Sequence, residues 1–148
     1  MGLFDAVLGT ENQTQTKLSP AEAFAAIILA VTASDGYLSE EQANYITFEL
    51  SRMKLFKSYP KETMNRLFEK ILNFLRADDL NRLFNAAKES LSQDLREAVF
   101  AVTTDLVLAE DIVTEEEKSF LNDLYQALDV SSEIAIQIMQ VILIKHRG

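Results

Sequence analysis

Ser34-Asp35-Gly36-Tyr37-Leu38-Ser39-Glu40-Glu41 is the stretch whose reading decides the fold, and Ala109-Glu110-Asp111-Ile112-Val113-Thr114-Glu115-Glu116 repeats it 75 residues later. Each copy predicts a turn between two helices. A carboxylate at the end of one helix (Asp35, Glu110) precedes a capping hydroxyl (Ser39, Thr114), and two more carboxylates occupy the first turn of the next helix (Glu40 and Glu41, Glu115 and Glu116). Each corner therefore gathers negative charge, which a helix N-terminus, solvent, a basic partner or a bound cation has to offset.

Outward from the corners, apolar residues recur at spacings of three and four from about residue 19 to 146, and the chain holds only 4 Gly and 2 Pro, so an all-α fold of about seven helices is expected. Ser19-Pro20-Ala21-Glu22 combines a cap, a proline at the first helical position and an acidic third residue. It opens a helix with an apolar line through Phe24, Ile27, Ile28 and Val31, which Gly36 is expected to end. Ser39-Glu40-Glu41-Gln42 is a capping box for a second helix, with Ile46, Leu50 and Met53 inward and Lys54 and Lys57 near its far end. Pro60 begins a third, carrying Met64, Leu67, Phe68, Ile71, Leu72 and Leu75, and Asp78 or Asp79 caps a fourth through Leu80, Leu83, Phe84 and Ala87.

Ser92 caps a fifth helix with an inward line of Leu95, Val99, Val102, Leu106 and Ala109. Thr114-Glu115-Glu116-Glu117 is a further capping box, leading to Phe120, Leu121, Leu124 and Leu128. Ser131 or Ser132 starts the last helix, whose Ile134, Ile136, Ile138, Met139, Val141, Ile142, Leu143 and Ile144 are apolar on nearly all sides. Such a helix is either deeply packed in its own chain or meets a second subunit in a homodimer.

An offset of 75 aligns Glu22 with Glu97, Ala26 with Ala101, Glu40 with Glu115 and Glu41 with Glu116, and pairs Ile27 with Val102, Ser39 with Thr114, Tyr45 with Phe120 and Ile46 with Leu121 by type. Two related helix–corner–helix units joined by a central helix pair are expected, within one domain over 18–148. Residues 1–17 differ. Leu3, Phe4, Val7 and Leu8 would form one face of a short helix, followed by a polar linker. That face docks on the parent domain or on a partner or membrane surface, although Met1 to Gly9 hold no basic side chain to draw it to anionic lipid and Ala6 breaks the myristoylation signal.

Composition narrows the function. A chain of 148 residues can bury a core without staples, and the absence of cysteine excludes thiolate metal sites and thiol catalysis and fits the cytoplasm. Its net charge of −9, with no local basic patch, argues against nucleic acid. No apolar run approaches the length of a membrane span, and no secretory leader is evident.

Caps and dipoles account for Glu40, Glu41, Glu115, Glu116 and Glu117. They do not account for Asp35 and Glu110, at helix ends where the dipole disfavours carboxylates, or for Asp105 one turn earlier. A hard cation such as Ca²⁺, Mg²⁺ or Mn²⁺ takes several oxygens, and Asp35, Glu41, Asp105, Glu110 and Glu116 are the candidate ligands. Zn²⁺ belongs on the same list of trials. An EF-hand is excluded, because a loop registered on Gly36 would put Val31 and Ala33 at its first and third ligand positions. The only histidine, His146, lies between Lys145 and Arg147 and is expected to complete a helix end.

Ala33-Ser34-Asp35-Gly36-Tyr37-Leu38-Ser39-Glu40-Glu41, after an alanine-rich helix, resembles the A-x-D-G-x-(hydrophobic)-x-x-E signature of the TerB-like proteins of bacterial tellurite resistance, over about residues 18 to 145. The opening Met1-Gly2-Leu3-Phe4-Asp5 is similar to that of some members. The resemblance implies an all-helical domain with an acidic divalent-cation site, acting in stress-response assemblies near the membrane. It places the first-corner acids on Asp35 and Glu41 and the second-corner pair on Glu110 and Glu116. The second corner departs from the pattern, with Glu110 for aspartate and Asp111 for glycine, and the longer side chain shifts ligand geometry.

The leading expectation is a non-catalytic, cytoplasmic TerB-like module, peripheral to the inner face of the membrane, that binds a divalent cation and docks with protein partners. A metal-independent helical interaction domain is the alternative. A metal-dependent hydrolase ranks last, since the corner motifs hold no residue placed to stabilise developing charge and the chain has no glycine-rich phosphate loop or G-x-S-x-G.

Overall fold

Hydroxyl caps open five of the seven α-helices found among the described residues, which are 18–33, 36–77, 79–109 and 114–147 of the computed structural model. Ser19 precedes α1 (Pro20–Thr32), Ser39 precedes α2 (Glu40–Ser51), Ser92 precedes α5 (Gln93–Leu108), Thr114 precedes α6 (Glu115–Ala127) and Ser131 precedes α7 (Ser132–Lys145). Each hydroxyl accepts a backbone N–H of the first turn, worth about 1 kcal/mol apiece. The other two, α3 (Lys61–Arg76) and α4 (Leu80–Glu89), follow Pro60 and Asp79 without a side-chain cap. A 3-10 turn, Lys54–Phe56, stands between α2 and α3. No strand occurs among the described residues, in keeping with the all-α expectation.

The chain divides into two compact units, with the boundary between Ser90 and Leu91. In the first, α1 packs on α3 and α4, which also touch each other, and the 3-10 turn contacts both α1 and α2. α1 was expected to bury one line of residues, yet nine of its thirteen are buried, among them five alanines. Alanine has no polar group to keep in water and is small enough to let neighbouring backbones approach. Phe24 of α1 meets Phe56 edge-on at 6.2 Å, and Phe56 meets Tyr59 at 5.5 Å. α3 buries all six predicted residues and Phe74 besides. Met53, expected inward on the second helix, falls outside α2 and is half-buried.

Gly36 was expected to end the first helix. Instead the helix stops at Ala33, whose N–H bonds back to Leu29, and Gly36 lies farther on with φ +87°. The glycine is needed for the path of the corner rather than for the helix end.

In the second unit α5 packs on α6 and on α7, and those two touch each other. Its buried residues are Val99, Phe100, Thr103, Thr104 and Leu108. Of the predicted line, only Val99 is buried, while Leu95, Val102 and Leu106 are half-buried and Ala109 is exposed. The inward face is therefore rotated from the one the apolar spacing suggests. The Thr103 and Thr104 hydroxyls have no hydrogen-bond partner among the described residues.

After α6 the chain turns through Asp129, a non-glycine residue with φ 60°. Val130 N–H donates to the Tyr125 carbonyl at 2.9 Å and Asp129 N–H to that of Gln126 at 3.1 Å, the bond pair of a Schellman ending. Gln93 Nε2 donates to the Asp129 carbonyl and Arg96 pairs with its carboxylate, tying the turn to α5. α7 buries only Ala135 and Ile142, so the alternative in which the last helix is deeply packed within its own chain is not what is found. The expected N-terminal helix over 1–17, the Asp78 cap, Ser34 and Asp35 of the first corner and 110–113 of the second lie outside the described residues.

Candidate functional site

The first corner is built from a cap and a distant arginine. Ser39 Oγ accepts Gln42 N–H at 3.0 Å while Gln42 Oε1 accepts Ser39 N–H at 3.2 Å, so this side chain is consumed in closing the helix start. Glu40 and Glu41 point outward and have no hydrogen-bond or ion-pair partner among the described residues. The helix dipole favours both. Arg76, the last residue of α3, donates from Nε to the Gly36 carbonyl at 2.8 Å and from Nη1 to Asn73 Oδ1 at 2.7 Å. Its guanidinium carbon lies 4.9 Å from the centroid of the exposed Tyr37 ring. The corner thus carries a built-in cation that its own motif does not announce.

The second corner repeats the cap with different chemistry. Thr114 Oγ1 accepts Glu117 N–H at 3.0 Å and Glu117 Oε1 accepts Thr114 N–H at 2.9 Å. Lys118 reaches Glu115 at 3.2 Å, a solvated pair of small energetic weight. Glu116 stays exposed with no side-chain partner among the described residues. Burial follows the same offset in both second helices, for Ile46 and Leu121 are buried whereas Tyr45 and Phe120 are exposed. Phe120 had been expected inward with Leu121.

Asp105, the third described candidate, is held already. Its side chain is only 17% exposed; Oδ1 accepts a hydrogen bond from His146 Nε2–H at 2.5 Å, and Lys145 Nζ lies 3.2 Å from Oδ2. His146 also caps α7, its N–H donating to the Ile142 carbonyl at 3.1 Å, which adds a side-chain partner to the expected helix-end role. The carboxylate therefore clamps the end of α7 to α5. Asp105→Asn is expected to lower stability by about 1–2 kcal/mol in chelator alone, because the amide carries no charge for Lys145 and puts an N–H donor where Oδ2 accepts from it. Thermal unfolding without any added cation checks this. An unchanged midpoint would remove the clamp and leave Asp105 available as a ligand.

Asp35 and Glu110, central to the sequence-based ligand set, lie outside the described residues. Among the described residues no group of three or more Asp, Glu or His side chains gathers in an arrangement able to hold a metal ion. Glu41, Asp105 and Glu116 do not by themselves fit a hard cation, since two are solvated and the third is held by two basic side chains. Comparison with family models, with curated proteins and with solved structures finds no match to this chain.

Proposed function

We propose that the chain is a non-catalytic, TerB-like module of tellurite and related stress resistance that binds a divalent cation at its acidic corners and docks with protein partners. It consists of two related helix–corner–helix units, α1 with α2 and α5 with α6, joined by α3 and α4. The observation that supports this reading is the division of labour in the two first turns. Gln42 and Glu117 are spent on the caps, whereas Glu41 and Glu116 occupy matching positions, face outward and are left without partners among the described residues. Carboxylates that stabilise the helix start without being consumed by it remain available to a cation, with Asp35 at the first corner and Glu110 at the second as further oxygens. The module works in the cytoplasm, at the inner face of the membrane. No described helix is long and apolar enough to cross a membrane.

A metal-independent interaction domain is the second reading, and Arg76 favours it. A guanidinium at the Gly36 carbonyl offsets negative charge at the first corner without any ion. Thermal unfolding of chelator-stripped protein with Ca²⁺, Mg²⁺, Mn²⁺ or Zn²⁺ separates the two. Free cation at about 100 times its dissociation constant stabilises by about 2.7 kcal/mol, a rise of roughly 5–10 °C. The rise is expected to shrink with Asp35→Asn or Glu110→Gln and to vanish with both. A midpoint indifferent to all four cations overturns the cation site and leaves the second reading.

A further inference from the structure

Four of the large apolar side chains left exposed belong to α7: Ile136 (54%), Val141 (61%), Leu143 (51%) and Ile144 (56%). The inward face of this helix is set by Ala135 and Ile142, with His146 continuing it onto Asp105. Directly opposite, at spacings of four and three, run Glu133, Gln137, Gln140 and Ile144, with Ile136 and Leu143 beside them and Arg147 in the turn that follows the helix. All seven are exposed. The seam is acidic at its start, amide at its middle and basic at its end.

We infer that this seam is the interface with a second copy of the chain, the two α7 helices packing antiparallel about a twofold axis at Gln140. Glu133 lies seven residues before Gln140, about 10 Å along the helix, and Arg147 follows seven residues after it in the turn just past the helix end. An antiparallel partner therefore sets Glu133 against the partner's Arg147 at both ends at once. The same register sets Ile136 against the partner's Ile144 twice, and the two central amides, each donor and acceptor, face one another. The opposed helix dipoles also favour this direction. A net charge of −9 resists indiscriminate self-association, so pairing is confined to a surface complementary to itself. One pair of four-turn helices is a small interface, and the expected dissociation constant is on the order of 10–100 μM. This inference does not rest on the cation site.

Sedimentation velocity of the full chain across that concentration range, in chelator and again with Mg²⁺, is the test. Wild type is expected to pass from monomer to dimer in both. Glu133→Lys or Arg147→Glu alone places like charges at both ends and weakens association about tenfold or more, while the double reversal restores it. An equimolar mixture of the two single variants forms a heterodimer, because each copy then supplies the complement of the other. The chain contains no cysteine, so Gln140→Cys reports the axis directly: mild oxidation links it into a covalent dimer. Glu133→Cys, about 21 Å from its mate in the antiparallel register, does not cross-link. Circular dichroism confirms that each surface variant is folded. A strictly monomeric wild type overturns the proposal and gives the face to a different partner. A dimer insensitive to both charge reversals, or one cross-linked through position 133, overturns the antiparallel seam.

Discussion

Gly36→Ala is expected to destabilise the protein by about 2–4 kcal/mol, lowering the thermal midpoint by roughly 5–15 °C. Two effects combine. The residue has φ +87°, where an added Cβ costs about 1–2 kcal/mol. That Cβ would also stand 2.2 Å from Arg76 Cγ and 2.9 Å from the Arg76 backbone nitrogen. The arginine stem can swing away, but only by giving up its bond to the Gly36 carbonyl and its place over Tyr37; the backbone nitrogen belongs to α3 and cannot follow. A double-mutant cycle with Arg76→Ala divides the two effects. Removing the stem is expected to recover at least about 0.5 kcal/mol of the alanine penalty, leaving the backbone strain behind. Full additivity would mean that Arg76 does not lie against the glycine.

The glycine shows what a local pattern conveys. A-x-D-G marks a residue that needs backbone freedom, and the freedom is there, but the steric part of its intolerance comes from an arginine 40 residues away. Caps were legible for the opposite reason: Ser19 with Glu22, Ser39 with Gln42 and Thr114 with Glu117 interact within three residues, so their geometry follows from the helix itself. α3 was legible in full because its polar and apolar residues separate cleanly into faces. α1 was legible as a helix but not in its burial, since alanines at Ala21, Ala23 and Ala25 fit either inside or outside.

The candidate site divides along the same line. The carboxylates of both corners stand out in the sequence, and the structure leaves Glu41 and Glu116 outward and unpaired among the described residues. The cations that compete for such carboxylates do not stand out. Lys145 and His146 reach Asp105 across 40 and 41 residues, and nothing near Asp105 signals them. α7 shows a third kind of shortfall. Its apolar composition demands a partner surface without naming one, and the fold covers a single stripe of it.

The inward phase of α5 is where the apolar spacing misleads most, and Phe100→Ala measures the correct one. The segment carries Val99, Val102, Leu106 and Leu108 among two threonines and an aspartate, so apolar residues occur on more than one face and two phases fit nearly equally. Counting Thr103 and Thr104 as polar tips the choice toward the line through Leu95, Val102 and Leu106. The structure tips it the other way, around Phe100, whose ring is fully buried and meets Tyr125 edge-on at 6.1 Å. Tyr125 lies on α6, so truncation opens a void between the helix that leads into the second corner and the helix that leaves it. Phe100→Ala is expected to cost about 3–5 kcal/mol, while Leu106→Ala, at a half-buried position, costs about 1 kcal/mol. Denaturant midpoints of the two variants, compared at equal m-value, give the ratio. Equal costs would return α5 to the phase of its apolar spacing. A cost several times larger at Phe100 establishes the phase that turns this ring inward, the same phase that buries the Thr103 and Thr104 hydroxyls.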